Sequence, residues 1–103
     1  WLQALVAQAR QMQGGSAALG IFGTSISATW LAASLGAQVT FFVDEDANRI
    51  GRSHMGRPIY HPVDAPKASA ALMPLRADIA QAIAQRFDQQ FGQLGCRFVL
   101  PPT

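Results

Sequence analysis

The spacing of apolar residues changes period several times along this chain, and that alternation restricts it to folds in which helices cover the faces of a sheet. From Trp1 to Gln13, the residues Leu2, Leu5, Val6, Ala9 and Met12 recur at helical spacing with Gln and Arg opposite. An amphipathic helix is expected there, ended by Gly14-Gly15-Ser16. The uninterrupted apolar run Ala17 to Phe22 has the length of a buried strand. After the turn Gly23-Thr24-Ser25, residues Ile26 to Leu35 return to helical spacing, and Gly36 stands where a left-handed cap residue is expected.

Gln38 to Val43 is dense in β-branched and aromatic residues and predicts the second strand, which stops at Asp44-Glu45-Asp46. The polar stretch Ala47 to Gly56 reads as a loop with a helical turn at Asn48 to Ile50. Arg57 to Tyr60 can form only a short edge strand, because Pro58 lacks a backbone donor. Beyond the Pro-rich connection His61 to Pro66, the segment Ala68 to Met73 predicts a strand of small residues. Ile79, Ile83, Phe87 and Phe91 then fall four apart with Ala80 and Ala84 beside them, so one long helix is expected from Ala77 to Phe91, ended by Gly92 or Gly95. Arg97 to Leu100 is the last strand, and Pro101-Pro102 closes the domain. The string α-β-α-β-β-β-α-β predicts a small Rossmann-like three-layer α/β sandwich. Its five-stranded, mostly parallel sheet is expected in the order 3-2-1-4-5, counting Ala17 to Phe22 as the first strand.

A chain of 103 residues supports one core. A single domain is therefore expected over residues 1–103, with 1–13 as a leading helix and 17–100 as the sheet and its covering helices. Because it opens at Trp1, a fragment of a larger protein is expected. Half the residues are apolar and 14% are charged, which is a globular composition. The net charge of +2 arises from eight Lys and Arg against six Asp and Glu, and the cations are scattered apart from Arg49, Arg52 and Arg57. That pattern lacks the basic stripe with interleaved aromatics that nucleic-acid binding requires. No apolar run is long enough to span a bilayer and no signal segment opens the chain, so no membrane partner and a cytoplasmic location are expected. Cys96 is the single cysteine, and a small buried side chain at the start of a strand accounts for it.

In an open α/β sheet, ligands bind outside the carboxyl ends of the strands, where strand order reverses. Gly23-Thr24-Ser25, Asp44-Glu45-Asp46 and Met73-Pro74-Leu75-Arg76 are expected to converge there. Gly23 permits a tight turn, and the helix that follows presents free amides and partial positive charge to an anion. The run Gly23-Thr24-Ser25-Ile26-Ser27-Ala28 is a degraded dinucleotide fingerprint, with Ser25 in place of its second glycine. Asp44 stands near the offset at which an acid holds a ribose hydroxyl. A dinucleotide, a smaller phosphate or nucleotide-sugar ligand, and a purely structural turn all fit these residues. The candidate ligand-binding set is Gly23, Thr24, Ser25, Asp44 and Met73, with Arg52 and Arg57 reaching over the rim. Consecutive carboxylates cannot all aim at one point, so Asp44, Glu45 and Asp46 are read as caps of the Asn48 turn and partners of Arg49 or Arg52. His54 and His61 lack a ligand pattern and a neighbouring nucleophile, so neither a metal site nor a catalytic residue is assigned. Trp30, in mid-helix, is read as a core or domain-interface residue.

Taken in order, Gly23-Thr24-Ser25, Phe41-Phe42-Val43-Asp44-Glu45-Asp46, Arg49-Ile50-Gly51-Arg52, Gly56-Arg57-Pro58-Ile59 and Phe98-Val99-Leu100-Pro101 form a distinctive series. From about Ala17 to Pro102 the chain resembles the small Rossmann-like domain found C-terminal to the catalytic domain in sugar C-methyltransferases and related S-adenosylmethionine-dependent methyltransferases. The resemblance implies an accessory domain that binds a substrate or nucleotide-sugar, or docks on the catalytic methyltransferase domain of the same chain. It also implies that S-adenosylmethionine belongs to that preceding domain, so this one requires no cofactor and is not catalytic alone. A freestanding nucleotide- or NAD-binding domain and a structural spacer are the alternatives.

Overall fold

In the computed structural model, which describes residues 2–12 and 18–102, each change of apolar period marks a change of element. Helix α1 (Leu2–Gln11) precedes strand β1 (Leu19–Phe22), helix α2 (Ile26–Leu35), β2 (Val39–Val43) and β3 (Ser53–His54). Then come β4 (Arg57–Tyr60), β5 (Ser69–Leu72), α3 (Ala77–Phe91) and β6 (Cys96–Val99). Trp1, the stop at Gly14-Gly15-Ser16 and the expected strand start at Ala17 lie outside the described residues. Among the described residues no helix is long and apolar enough to cross a membrane.

The sheet has six strands in the order β3-β4-β2-β1-β5-β6. Strands β1, β2, β4, β5 and β6 are parallel, and β3 runs antiparallel to β4. Five strands in the order 3-2-1-4-5 is therefore corrected: Ser53–His54, expected to be loop, adds a strand outside Arg57–Tyr60, which is not the edge. The cause is a tight hairpin in which Met55 and Gly56 both take positive φ, 53° and 76°. Such a turn favours Asn or Gly at its first central position, and a methionine there conceals it from a sequence reading.

Side chains alternate across the sheet and build one core on each face. Leu5, Val6 and Ala9 of α1 and Ala28, Leu31 and Ala32 of α2 pack with Ile21, Phe42, Ile59, Leu72 and Val99. Ala80 and Phe87 of α3 pack on the other face with Phe22, Phe41, Val43, Ala71 and Met73. Val39 breaks the alternation, since it shares the α1 and α2 face with Phe42. The register explains it: Leu19 pairs with Val39 and Gly20 with Phe41, so Thr40 is an extra residue in β2.

Helix α3 also departs from its expected stripe. Ala80 and Phe87 are buried, whereas Ile79 and Phe91 are each 42% exposed. Residues four apart advance about 40° beyond a full turn, so the four-apart series drifts around the helix and its two ends fall at the flanks of the buried face. Gly36 ends α2 at φ 61°, ψ −133°, a positive-φ conformation outside the left-handed helical basin that had been expected.

Candidate functional site

Main-chain bonds align the carboxyl ends of the central strands into one rim. Gly23 N–H donates to the Val43 carbonyl at 2.7 Å, Asp44 N–H to Tyr60 at 2.9 Å, and Met73 N–H to Val99 at 3.0 Å. Gly23 turns at φ 85°, and α2 begins three residues later. Ser25 is the N-cap: its hydroxyl accepts from Ala28 N–H at 3.2 Å, and its carbonyl accepts from Thr29 N–H at 2.9 Å. The Ile26 and Ser27 amides precede the first intrahelical bond and face out of the helix end. Ser25 is thus employed in holding the helix end, the position at which a dinucleotide fingerprint carries glycine for close backbone approach.

The acidic run after β2 is distributed over separate partners. Asp44, 8% exposed, accepts from Asp46 N–H at 2.9 Å through Oδ1 and faces Arg49 Nη1 at 3.4 Å through Oδ2. Asp46 accepts from Asn48 N–H at 2.9 Å and pairs with Arg49 at 3.7 Å. Glu45 binds Arg86 of α3 through two bonds of 2.7 Å, and that ion pair raises the Arg86 pKa. Asp44 and Asp46 agree with the reading of the acids as turn caps and partners of Arg49, whereas Glu45 pairs with Arg86 and not with Arg49 or Arg52. Arg76 pairs with Asp78 at 2.7 Å at the start of α3, which holds the Asp78 carboxyl below its ordinary range. Arg49, Arg76 and Arg86 each face a carboxylate, so the rim carries little net positive field.

Of the seven expected ligand residues, Gly23, Thr24, Ser25 and Asp44 come together. Met73 does not join them: it is 0% exposed, because it continues the face of Ala71 beneath α3. Arg57 does not reach the rim either. Its guanidinium binds the Val39 and Gly36 carbonyls, each at 2.8 Å, and Met55 at 3.1 Å, all at the amino end of β2. The Val39 carbonyl that Arg57 binds lies beside the register irregularity at Thr40. Arg52 is exposed at the outer side of β4, beside a hollow of about 200 Å³ shared with Tyr60, His61 and Asp64.

Arg76, in the loop expected at the rim but outside the candidate ligand set, borders a rim hollow of about 210 Å³ with Ala77, Pro101 and Pro102. Strand parity was the available signal, since it turns Met73 inward and leaves the loop after it to face the rim. His54, with no partner evident from neighbouring residues, has one from a distant helix. Its Nε2 lies 2.9 Å from Thr29 Oγ1, and its ring meets Phe42 edge-on at 4.9 Å, so it joins β3 to α2. His61 accepts from Val63 N–H at 3.1 Å through Nδ1, and its ring abuts Phe87 and Phe91. No group of three or more His, Cys, Asp or Glu among the described residues is placed to hold a metal ion. Cys96 is buried, and burial pushes its thiol pKa up. In comparisons with protein-family models, curated proteins and solved structures, no match to this chain was found.

Proposed function

We propose that this chain is an accessory, non-catalytic domain of an S-adenosylmethionine-dependent methyltransferase, binding an anionic small molecule of nucleotide-sugar type at its rim and docking on the catalytic domain. The observation that carries the reading is the Gly23 turn: positive φ at 85° feeds straight into the open N-terminus of α2 at the carboxyl end of β1. The Ile26 and Ser27 amides and the Thr24 hydroxyl supply donors to a phosphate there. Docking is supported by α2 itself, whose outward side presents Ile26 at 91% and Trp30 at 42% exposure. A helix apolar on all sides is ordinarily covered on all sides. The dinucleotide reading is weaker, because Ser25 is committed to capping and both Asp44 carboxylate oxygens already have partners.

A titration followed by amide NMR tests the ligand. A panel of nucleotides, sugar nucleotides and S-adenosylmethionine should give saturable shifts around Gly23 to Ser27 and Asp44 for the sugar nucleotides, sparing Gly36 and Gly95. Shifts with none of the panel, or only around Gly95, would leave a docking or spacer role. The chain by itself should transfer no methyl group from S-adenosylmethionine.

A further inference from the structure

His61 makes a contact that only the neutral imidazole can supply. It stands at the head of the short 3-10 turn Pro62–Asp64, on the crossover from β4 to β5, and its Nδ1 lies 3.1 Å from the Val63 amide nitrogen. A backbone N–H can only donate, so Nδ1 carries a lone pair and the ring proton sits on Nε2. The ring stands edge-on to two aromatic rings of α3, with centroids 6.0 Å from Phe87 and 5.7 Å from Phe91. One side chain thus caps the crossover turn and covers two rings of α3 at the same time.

A second position for the ring is built into the same turn. Asp64 N–H donates to the His61 carbonyl at 2.8 Å, and side chains three apart in a 3-10 turn eclipse one another. His61 and Asp64 line one hollow beside β4, together with Arg52 and Tyr60. The Asp64 carboxylate is exposed and, among the described residues, has no hydrogen-bond or ion-pair partner. On α3, Arg86 lies 5.0 Å from the Phe87 ring centroid but is bound to Glu45. Asp88 lines a hollow on the β6 side with Cys96 and Phe98.

We propose that His61 is a pH-operated latch between the crossover turn and α3. Neutral, it caps Val63 and packs on Phe87 and Phe91. A second proton on the imidazole goes to Nδ1, which sets two N–H donors against each other across 3.1 Å. The cap bond is lost, the ring swings off α3, and the imidazolium pairs with the Asp64 carboxylate. Imidazole changes charge between about pH 5 and 8, and acidification across that range moves the latch. The acid form bares aromatic surface on α3, where Phe91 is already 42% exposed, and loosens the connection between β4 and β5. The latch is independent of the ligand proposed at the Gly23 turn.

NMR of the whole chain, titrated from about pH 8 to about pH 5, tests it. The Val63 amide signal should move with the same midpoint as the His61 ring protons. Cross-relaxation between the His61 and Phe91 rings, present at the alkaline end, should vanish at the acid end. His61→Asn keeps a capping oxygen that does not titrate, so its Val63 amide should stay still across the range. Asp64→Asn removes the acceptor of the imidazolium and should move the transition about 0.3–0.5 pH units lower. A Val63 amide that does not follow His61, or a contact between His61 and Phe91 that persists in acid, overturns the latch. So does a Val63 transition that survives in His61→Asn, or one whose midpoint Asp64→Asn leaves in place.

Discussion

The ring of Phe41 lies across Gly20 so closely that a β-carbon at residue 20 would stand 2.3 Å from the nearest ring carbon. The two residues are register partners in β1 and β2, and Phe41 is 1% exposed, with Tyr60 beyond it at 6.1 Å between ring centroids. The ring therefore has no free space to move into. Gly20→Ala should destabilise the domain by about 1–3 kcal/mol in urea unfolding. Adding Phe41→Leu, which removes the clashing ring, should recover part of that loss, and a simple sum of the two effects would show the clash to be unimportant.

Arg57 binds three carbonyls across two segments, and removing it takes that donor from the carbonyl of buried Val39, while the Gly36 carbonyl keeps the Val39 N–H. Arg57→Ala should cost about 1–3 kcal/mol, and Arg57→Lys should restore only a fraction, because one ammonium cannot reach all three. Chemical denaturation measures the stability. Rim titrations should be unaffected, since the contacts lie at the other end of β2.

Met55 is 41% exposed and holds φ 53°, so it bears the cost of a left-handed conformation with little packing in return. Met55→Asn should raise stability by roughly 0.5–1 kcal/mol, seen as a higher denaturant midpoint at unchanged slope. A loss of stability instead would mean that the methionine packs usefully at the hairpin tip.

Burial raises the Cys96 thiol pKa, against a smaller lowering by the Ser69 hydrogen bond. The folded state thus keeps its proton to higher pH than the unfolded chain does. Its contribution to stability is complete below the ordinary thiol pKa of about 8.5 and is lost as pH rises through the raised folded value. Unfolding free energy should decline over that alkaline window, and Cys96→Ala should flatten the decline. Thiol labelling of the native domain should proceed only as fast as the domain opens.

Gly23 takes φ 85° in open space, so a side chain there meets no neighbour but carries the full backbone penalty. Gly23→Val should abolish sugar-nucleotide shifts at the rim, because the side chain blocks approach to the α2 amides and resists positive φ. The test is the same NMR titration. Unaltered binding by Gly23→Val would move the ligand site away from this turn.

What the sequence determined by itself is what depends on local period and local chemistry. The strands β1, β2, β4, β5 and β6 and the helices α1, α2 and α3 were legible because burial on one or two faces writes a repeat of two or 3.6 residues into the chain. The dispersal of Asp44, Glu45 and Asp46 was legible because consecutive carboxylates cannot share a target. Tertiary structure alone decided what depends on residues distant in sequence. Arg57 opens β4, which runs parallel to β2, and so lies at the amino end of the sheet, where it binds the Val39 carbonyl. The Met55 turn added β3 beside β4, and α3 closed over Met73. The Thr40 bulge and the edge pairing have no local signature, because each fixes where a side chain points only once a second strand lies against the first, whereas the parity of Ala71 and Met73 already turns Met73 away from the rim.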